Sequence, residues 1–259
     1  MVIGIIARMT HRIATSYLNA EQQPQAERLA ERLGVACIPL DQQNGYDYLL
    51  LYTPHYLGLL NPKEPRTTPL FIDFLSGKMR YRRQHASLRN EYLAKAMGKK
   101  PHQHPRILDA TAGLGRDSFI LASLGYQLTS VERSPILHAL LEDAIARGKK
   151  DASTCDIMSR INLILHDSAS YILENDDYDI IYLDPMFPER QKSASAKKEL
   201  VILQNLLEID ENAHELLSIS LKKAKWRVVV KRPRLALPLA NHKPSFSLTG
   251  SSSRFDIYL

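Results

Sequence analysis

The chain has 259 residues, of which 44% are hydrophobic and 24% are charged, and its net charge at neutral pH is +6. This length suits one large domain, or a core domain with a small companion, and no apolar run is long enough to cross a bilayer. Cys37 and Cys155 stand alone, without a CxxC motif or a disulfide framework, so we expect a protein of the reducing cytoplasm.

The positive charge is concentrated in the later part of the chain. Residues 1–77 carry a net charge of −1, and the remainder carries +7. From Ser220 to the end there are nine basic residues and one acidic residue, Asp256. Such one-sided charge favours a polyanionic partner, with nucleic acid as the leading candidate and a generic solvated surface as the alternative.

The pattern over residues 1–77 predicts a small α/β module. Gln25–Leu33 has helical spacing, and Gly34 follows it as a stop signal. Short strands set off by Gly, Asn and Pro are predicted at Val2–Ala7, Ala36–Leu40, Tyr46–Tyr52 and Pro69–Phe74. No residue pattern in this module indicates chemistry by itself.

Residues 78–104 predict a connecting helix and a linker. The helix should run for roughly five turns and end at Gly98, before the polar stretch Pro101–Pro105. His102 and His104 have no further ligands nearby in the sequence, so we expect no metal there. The arginines of the helix predict an extension of a nucleic-acid-binding face: Arg80, Arg82, Arg83 and Arg89.

From residue 105 onward, strands and amphipathic helices alternate. The predicted strands are Arg106–Asp109, Gln127–Val131, Ile161–His166, Tyr178–Pro185 and Arg227–Lys231, followed by a hairpin of Ser245–Thr249 and Phe255–Tyr258. The predicted helices are Asp117–Leu124, Pro135–Arg147, Ala169–Leu173, Lys197–Leu207 and Ala213–Ala224. This alternation predicts a Rossmann-like α/β domain over residues 105–259, with a mostly parallel seven-stranded sheet and an antiparallel hairpin at one edge.

A glycine turn, DATAGLGRD, follows the first strand of this domain. Ligands of such sheets bind outside the carboxyl ends of the strands, and Gly113 and Gly115 permit a tight turn and close approach there. A dinucleotide would prefer G-x-G-x-x-G, but Ser118 stands at the third glycine position, and Asp117 at the helix start would repel pyrophosphate. The turn therefore favours a cofactor with a cationic amine and a sulfonium, which is S-adenosylmethionine (SAM), over a purely structural turn.

The same pattern assigns roles to the residues around the turn. Asp109 and Asp117 would hold the amino-acid end of the cofactor, although Asp109 has a structural capping role as an alternative. Glu132, at the end of the second strand, would accept the ribose hydroxyls. The candidate cofactor-binding residues are Asp109, Gly113, Gly115, Arg116, Asp117, Glu132, Arg133, Asp167, Ser168, Ala169 and Asp184.

The fourth strand ends in the turn DPMFP, which is typical of methyltransferases that act on exocyclic amines of bases. Asp184 and a backbone carbonyl near Pro185 would accept the amine hydrogens and orient the nitrogen toward the methyl donor. Phe187 would stack on the extruded base. A rigid proline turn with a buried phenylalanine is the structural alternative. The predicted catalytic residues are therefore Asp184, Pro185 and Phe187, with no metal required.

Basic residues flank this turn on two segments, where they would contact a phosphate backbone. The predicted RNA-binding residues are Arg190, Lys192, Lys197, Lys198, Lys231, Arg232 and Arg234.

The motifs that carry a resemblance to a known family are DATAGLGRD, VERSP, YLDPMFP followed by QKSA and KKE, and VVVKRP. With them the chain resembles the ribosomal small subunit methyltransferase J family over Arg106–Pro233. The resemblance implies a SAM-dependent enzyme that methylates the 2-amino group of a guanine in 16S ribosomal RNA. Within the cofactor set listed above, it implies contacts at Arg116, Asp117, Glu132, Arg133, Ser168, Ala169 and Asp184.

Two alternatives of different classes stay open on the sequence. One is a non-catalytic RNA-binding assembly factor that retains the cofactor fold, although such a factor has no use for an amine-orienting turn. The other is a methyltransferase for a protein or a small molecule, which the basic carboxyl-terminal third disfavours. The chain also departs from the family by reading RRQHASLRNE where relatives have a glycine-rich run, which weakens the RNA contact expected there.

Overall fold

A computed structural model describes residues 11–64, 67–98, 105–185 and 213–259. The predicted strand Val2–Ala7 and the predicted helix Lys197–Leu207 lie outside these ranges. Within them, no helix is both long enough and apolar enough to span a membrane.

The amino-terminal module is a four-stranded sheet within the described residues, in the order β2-β1-β3-β4. Its strands are β1 Ile13–Tyr17, β2 Ala36–Cys37, β3 Tyr48–Tyr52 and β4 Leu57–Leu60. Helix α1, Gln23–Leu33, buries one apolar stripe and ends at Gly34, whose φ of 69° only glycine adopts readily. The predicted strand Pro69–Phe74 is wrong, because only Leu70 pairs there, in an isolated bridge to Leu59.

The connecting segment forms two helices, α2 Gly77–His85 and α3 Tyr92–Met97, so the single helix predicted up to Gly98 is wrong in its middle. Asn90 explains the break: its side chain accepts from the Ser87 amide (2.7 Å) and donates to the His85 carbonyl (2.7 Å). These local bonds replace helical backbone bonds, as asparagine and serine side chains commonly do. Gly98 ends α3, as expected.

The second sheet has seven strands within the described residues, in the order β10-β11-β9-β8-β5-β6-β7. They are β5 Ile107–Asp109, β6 Leu128–Glu132, β7 Ile161–Leu165, β8 Ile180–Leu183, β9 Arg227–Pro233, β10 Phe246–Thr249 and β11 Ser253–Tyr258. Strands β5 to β9 pair in parallel, and β11 runs antiparallel to both β9 and β10. The predicted mostly parallel sheet with an antiparallel hairpin at one edge is confirmed.

The helices of this domain are α4 Arg116–Ser123, α5 Pro135–Lys150, α6 Cys155–Met158, α7 Ser168–Glu174 and α8 Ala213–Lys223. Pro135 occupies the first turn of α5, and the Ser134 hydroxyl accepts from the Leu137 amide, so the start of this helix follows from local capping. Helix α6 was not predicted.

The two sheets share one hydrophobic core. Phe74, after the amino-terminal sheet, stacks on Phe119 of α4 with ring centroids 4.9 Å apart, and both rings are almost fully buried. The Leu57 amide of β4 donates to Asp143 of α5 (3.1 Å), and Arg147 donates to the Ile72 carbonyl. Burying one such aromatic ring stabilises the contact by roughly 1.5–3 kcal/mol. The predicted domain boundaries at residues 77 and 104 stay a prediction. The hydrophobic core contains residues from both sides of residue 77, so the packing does not separate the two parts there.

Candidate active site

The strand order reverses at β5, because β6 and β7 follow on one side of it and β8 and β9 on the other, and this reversal is the switch point of the sheet. A cavity of about 270 Å³ lies at the carboxyl ends of these strands. Six predicted cofactor residues line it together with Asp184: Gly113, Glu132, Arg133, Asp167, Ser168 and Ala169. The structure therefore brings seven of the eleven candidates to one cavity.

The two glycines of the turn have different roles. Gly113 has a φ of 53°, and a side chain built on it would meet only the Thr111 carbonyl, at 3.8 Å, so its cavity side is open. Gly115 is the N-cap residue just before α4 and has a φ of 68°, and a Cβ there would lie 2.6 Å from Leu141. Gly113 thus leaves room for a ligand, whereas Gly115 permits the helix to pack against α5.

Glu132 lies at the end of β6 and fixes the glycine turn. Its carboxylate accepts from the Gly113 amide (2.8 Å) and from the Ser134 amide (2.7 Å). Burial raises the pKa of Glu132 to about 7, although the two amides oppose this shift. A carboxylate oriented in this way at the cavity wall is suited to accept hydroxyl donors from a ribose.

Asp109 lies beneath the turn and does not line the cavity. Its carboxylate accepts from the Thr111 amide (3.1 Å) and from the Ser118 hydroxyl (2.5 Å), which also contacts the Ser130 hydroxyl (2.9 Å). Only 1% of Asp109 is exposed. These contacts match its structural alternative, and they give Ser118 a place in the buried hydrogen-bonding network. The predicted cofactor contact of Asp109 stays a prediction.

Replacing Asp109 by asparagine is expected to change how stability depends on pH. Burial raises the pKa of Asp109 from its usual 3.8 to about 7, so the folded protein keeps this proton where the unfolded chain has lost it. The resulting stabilisation is full below a pH of about 3.8, decreases as the pH rises, and is lost once the pH passes about 7. Urea unfolding at several pH values should show wild type losing stability relative to Asp109→Asn by up to about 1.4 kcal/mol per pH unit in this window. A constant difference across the range would contradict the raised pKa; Glu132 is common to both proteins and cancels.

The segment after β7 is bonded both within its own helix and to the segment that follows β5. Asp167 caps α7 by accepting from the Ser170 amide (2.9 Å). The Ser168 hydroxyl donates to the Ala110 carbonyl after β5 (2.5 Å). Asp167, Ser168 and Ala169 therefore form a rigid wall on one side of the cavity, where the adenine edge is predicted.

The turn after β8 is held by a residue that the sequence did not single out. The Asp184 amide donates to the Thr111 hydroxyl (2.6 Å), which links this turn to the glycine turn. The Asp184 carboxylate is 36% exposed, and Pro185 is buried beside it. Phe187 lies outside the described residues. Asp184 thus lines the cavity with its carboxylate partly open to solvent.

Asp117 and Lys231 meet at the edge of the cavity next to Asp184. The Lys231 ammonium contacts both Asp117 (2.7 Å) and Asp184 (2.8 Å). Asp117 also accepts from the Tyr182 hydroxyl (2.8 Å) and from the guanidinium of Arg82 (3.1 Å). Burial would raise the pKa of Asp117, but Lys231 and Arg82 outweigh it and lower the pKa to about 2. Asp117 does not line the cavity, and its predicted cofactor contact stays a prediction.

The remaining basic candidates are placed differently from one another. Arg232 is buried and donates twice to the Leu237 carbonyl (2.8 and 3.1 Å), whereas Arg234 is exposed. Arg116 begins α4 and is not among the cavity residues. Four predicted RNA contacts lie outside the described residues: Arg190, Lys192, Lys197 and Lys198. The predicted phosphate contacts of Lys231, Arg232 and Arg234 remain predictions.

Several cavity residues were missed because nothing in the local sequence marks them. Leu137 of α5 and Leu173 of α7 supply apolar wall, as do Leu216 and Ile219 of α8. Their spacing is that of ordinary amphipathic helices, so the sequence indicates burial but not a ligand. Tyr182 is similar: it reads as one more apolar residue of a buried strand, yet burial and Asp117 raise its pKa well above 10, and it donates to Asp117.

Comparisons with known proteins agree with this architecture. Residues 29–259 match a family model described as "Putative SAM-dependent methyltransferase". Ribosomal RNA small subunit methyltransferase J from Coxiella burnetii is 40% identical over 252 residues, which cover 97% of this chain and 98% of that protein. The protein of the same name from Nitrosococcus oceani is 44% identical over 243 residues, which cover 92% of this chain and 95% of that protein. The crystal structure of a SAM-dependent methyltransferase from Neisseria gonorrhoeae superimposes with a TM-score of 0.71 at 31% identity, covering 95% of this chain and 96% of that one.

Proposed function

This chain belongs to the ribosomal RNA small subunit methyltransferase J family of SAM-dependent methyltransferases, and we propose that it methylates the 2-amino group of a guanine in 16S ribosomal RNA. The observation that carries the proposal is the position of Asp184, pinned by Thr111 and Lys231 at the rim of a cavity suited to a nucleoside cofactor.

The residues of the cavity fit SAM. Gly113 leaves open space beside the Glu132 carboxylate, which would accept the ribose hydroxyls. Asp167 and Ser168 form the wall for the adenine edge, and acidic side chains at the cavity disfavour a phosphate-bearing ligand. When bound, the cofactor supplies a methyl group made electrophilic by its positive sulfur. Binding the base, orienting the amine and accepting its hydrogens are assigned to residues of this chain.

Asp184 would make the guanine amine reactive. The lone pair of this amine is delocalised into the purine ring, which makes the nitrogen a poor nucleophile. The Asp184 carboxylate and the backbone carbonyl near Pro185 would accept the two amine hydrogens, concentrating electron density on nitrogen and holding it in line for transfer. The proton released after transfer would pass to solvent, or transiently to Asp184. Phe187 would stack on the base.

A basic and aromatic surface on α2 and the turn that follows it extends the proposed RNA-binding face. Of the four arginines of the connecting segment that were predicted to extend this face, Arg82 is bonded to Asp117 and Glu91, and Arg83 donates to the Ser153 carbonyl (2.6 Å). Arg80 and Arg89 are exposed. Tyr81, which is 64% exposed and stacks on His85, lies between them in the chain and offers a surface for a base.

Replacing Arg80 and Arg89 together by alanine is expected to weaken RNA binding in a salt-dependent way. Each lost phosphate contact should lower the slope of log affinity against log salt by about 0.7–0.9, so the double variant should lose roughly 1–2. Filter binding over a salt series measures the slope. Lys149→Ala with Lys150→Ala, which removes two exposed charges from the end of α5, is the matched control. Equal slopes in all three proteins would exclude these arginines from the RNA face.

The proposed reaction is tested with labelled SAM and three substrates: small ribosomal subunits, bare 16S ribosomal RNA and a mixture of unrelated proteins. Label is expected in the RNA alone, and mass spectrometry should place it on the 2-amino group of one guanine. In cells lacking the protein, that guanine should be unmethylated. Label on protein, or none at all, would reject the proposed reaction, and the second outcome would favour an assembly factor. Because the proposed substrate is ribosomal RNA, we also place the protein in the cytoplasm.

A further inference from the structure

Lys231 is placed beside Asp184 by the register of the sheet. Leu183 of β8 pairs with Val230 of β9 in parallel, so the next residues along the two strands, Asp184 and Lys231, are neighbours at the sheet edge. The Lys231 side chain is 27% exposed, and its ammonium lies 2.8 Å from an Asp184 carboxylate oxygen. The sequence predicted a phosphate contact for this lysine, but the described structure gives it a different set of partners.

A single ion pair would not fix a lysine, because its four-carbon stem is flexible and its charge is compact. The second partner is what restrains it. Asp117 lies 2.7 Å from the ammonium and is itself 11% exposed in its side chain. Burial would lower the pKa of Lys231, but Asp117 and Asp184 outweigh it and raise the pKa above its usual value, so the ammonium stays charged.

Asp117 is in turn fixed from two other directions. One oxygen accepts from both terminal nitrogens of Arg82 on α2, each at 3.1 Å. The other accepts from the Tyr182 hydroxyl of β8 at 2.8 Å, in addition to Lys231. A carboxylate held by donors from three elements is a stable reference point, and Lys231 transmits its position to Asp184 across 2.7 and 2.8 Å contacts.

We propose that Lys231 is a positioning residue of the methyl-transfer reaction: anchored on Asp117, it holds the Asp184 carboxylate in the direction that orients the substrate amine. This inference rests on the proposed role of Asp184. Two carboxylates share the charge of Lys231, so its contribution lies in the rate of transfer and not in affinity for the phosphate backbone. Arg82 supports the arrangement from the connecting segment and stabilises Asp117.

The test is a double-mutant cycle of Lys231→Met and Asp184→Asn, measured in single-turnover reactions that allow slow rates to be followed. Lys231→Met should lower the rate of transfer about 10–100-fold, as expected for a misplaced reacting group, and should change the KM for RNA less than threefold. Because Lys231 acts through Asp184, adding Lys231→Met to Asp184→Asn should cost no further rate. Lys231→Arg, which keeps the cation, should recover part of the loss.

Lys149→Met removes an exposed lysine from α5 and serves as the matched control, with an unchanged rate expected. Melting temperatures establish that each variant is folded, and Lys231→Gln replaces the methionine variant if that one does not fold. Losses that multiply in the double variant, or a loss confined to RNA affinity and its salt slope, would overturn the positioning role. If Asp184→Asn transfers methyl normally, the proposed function of Asp184 fails; if it is impaired while Lys231→Met is not, only the inference about Lys231 fails.

Discussion

Replacing Asp184 by alanine is expected to reduce methyl transfer by about 10²–10⁴-fold while the protein stays folded. The expected loss is large because the amine loses both the acceptor that concentrates its electron density and the group that orients it. Lys231 keeps its contact with Asp117 in this variant, so the buried charge is not left without a partner. Transfer of label from SAM to small ribosomal subunits under single-turnover conditions measures the effect.

The control for this variant is Asp176→Ala, which removes an exposed carboxylate from the loop before β8 and should leave the rate unchanged. Binding of S-adenosylhomocysteine by calorimetry should change far less than the transfer rate in Asp184→Ala. Transfer at a near-normal rate would show that another group orients the amine. A parallel collapse of cofactor binding would instead assign Asp184 mainly to the cofactor.

Replacing Glu132 by glutamine is expected to weaken cofactor binding about 10–100-fold. Hydrogen bonds to a charged acceptor contribute roughly 1.5–3 kcal/mol, and glutamine has one neutral oxygen where Glu132 has two charged ones. The amide nitrogen of glutamine would also face a backbone donor, either Gly113 or Ser134, and would disturb the glycine turn. Calorimetric titration with S-adenosylhomocysteine gives the affinity.

The pH dependence makes this second prediction specific to Glu132. Burial raises its pKa to about 7, and two hydroxyl donors bind the ionised form more tightly, because both of its oxygens then accept and carry charge. Wild-type affinity should therefore rise with pH, by at most about tenfold per unit below that pKa, and level off above it. The glutamine variant should lack this dependence. Glu142→Gln, which changes a partly exposed carboxylate of α5 whose partner is Arg32 of α1, should behave as wild type. Identical affinities and pH profiles in all three proteins would remove Glu132 from the cofactor site.

The features that the sequence predicted well are those specified by local patterns. Strands β5 to β9 and helices α4, α5, α7 and α8 follow from apolar runs, periodicity and caps such as Ser134 with Pro135, whereas the short helix α6 was missed. Residues at the carboxyl ends of parallel strands meet at one edge, so Gly113, Glu132, Ser168 and Asp184 were expected at one cavity and are found there.

The wrong predictions are those where a side chain competes with the backbone or where a strand needs a partner. The connecting helix breaks because the Asn90 side chain bonds to backbone groups of Ser87 and His85. Pro69–Phe74 has strand-like composition, but beyond Leu70 it pairs with no described strand, and Phe74 packs on α4. β-propensity reflects how well a side chain packs against neighbouring strands, and the sequence of one segment does not show which strands will lie beside it.

Composition, spacing and motif therefore determined the fold class, the cofactor edge and the position of the turn that we propose orients the amine. Only the tertiary structure decided which groups hold that turn in place. Lys231 is 114 residues from Asp117, Asp184 is 73 from Thr111, and Arg82 is 35 from Asp117. Strand order and helix packing decide these partners. A polar or charged group bonds to a complementary group that the fold places within about 3 Å of it, even when the two are far apart in the chain.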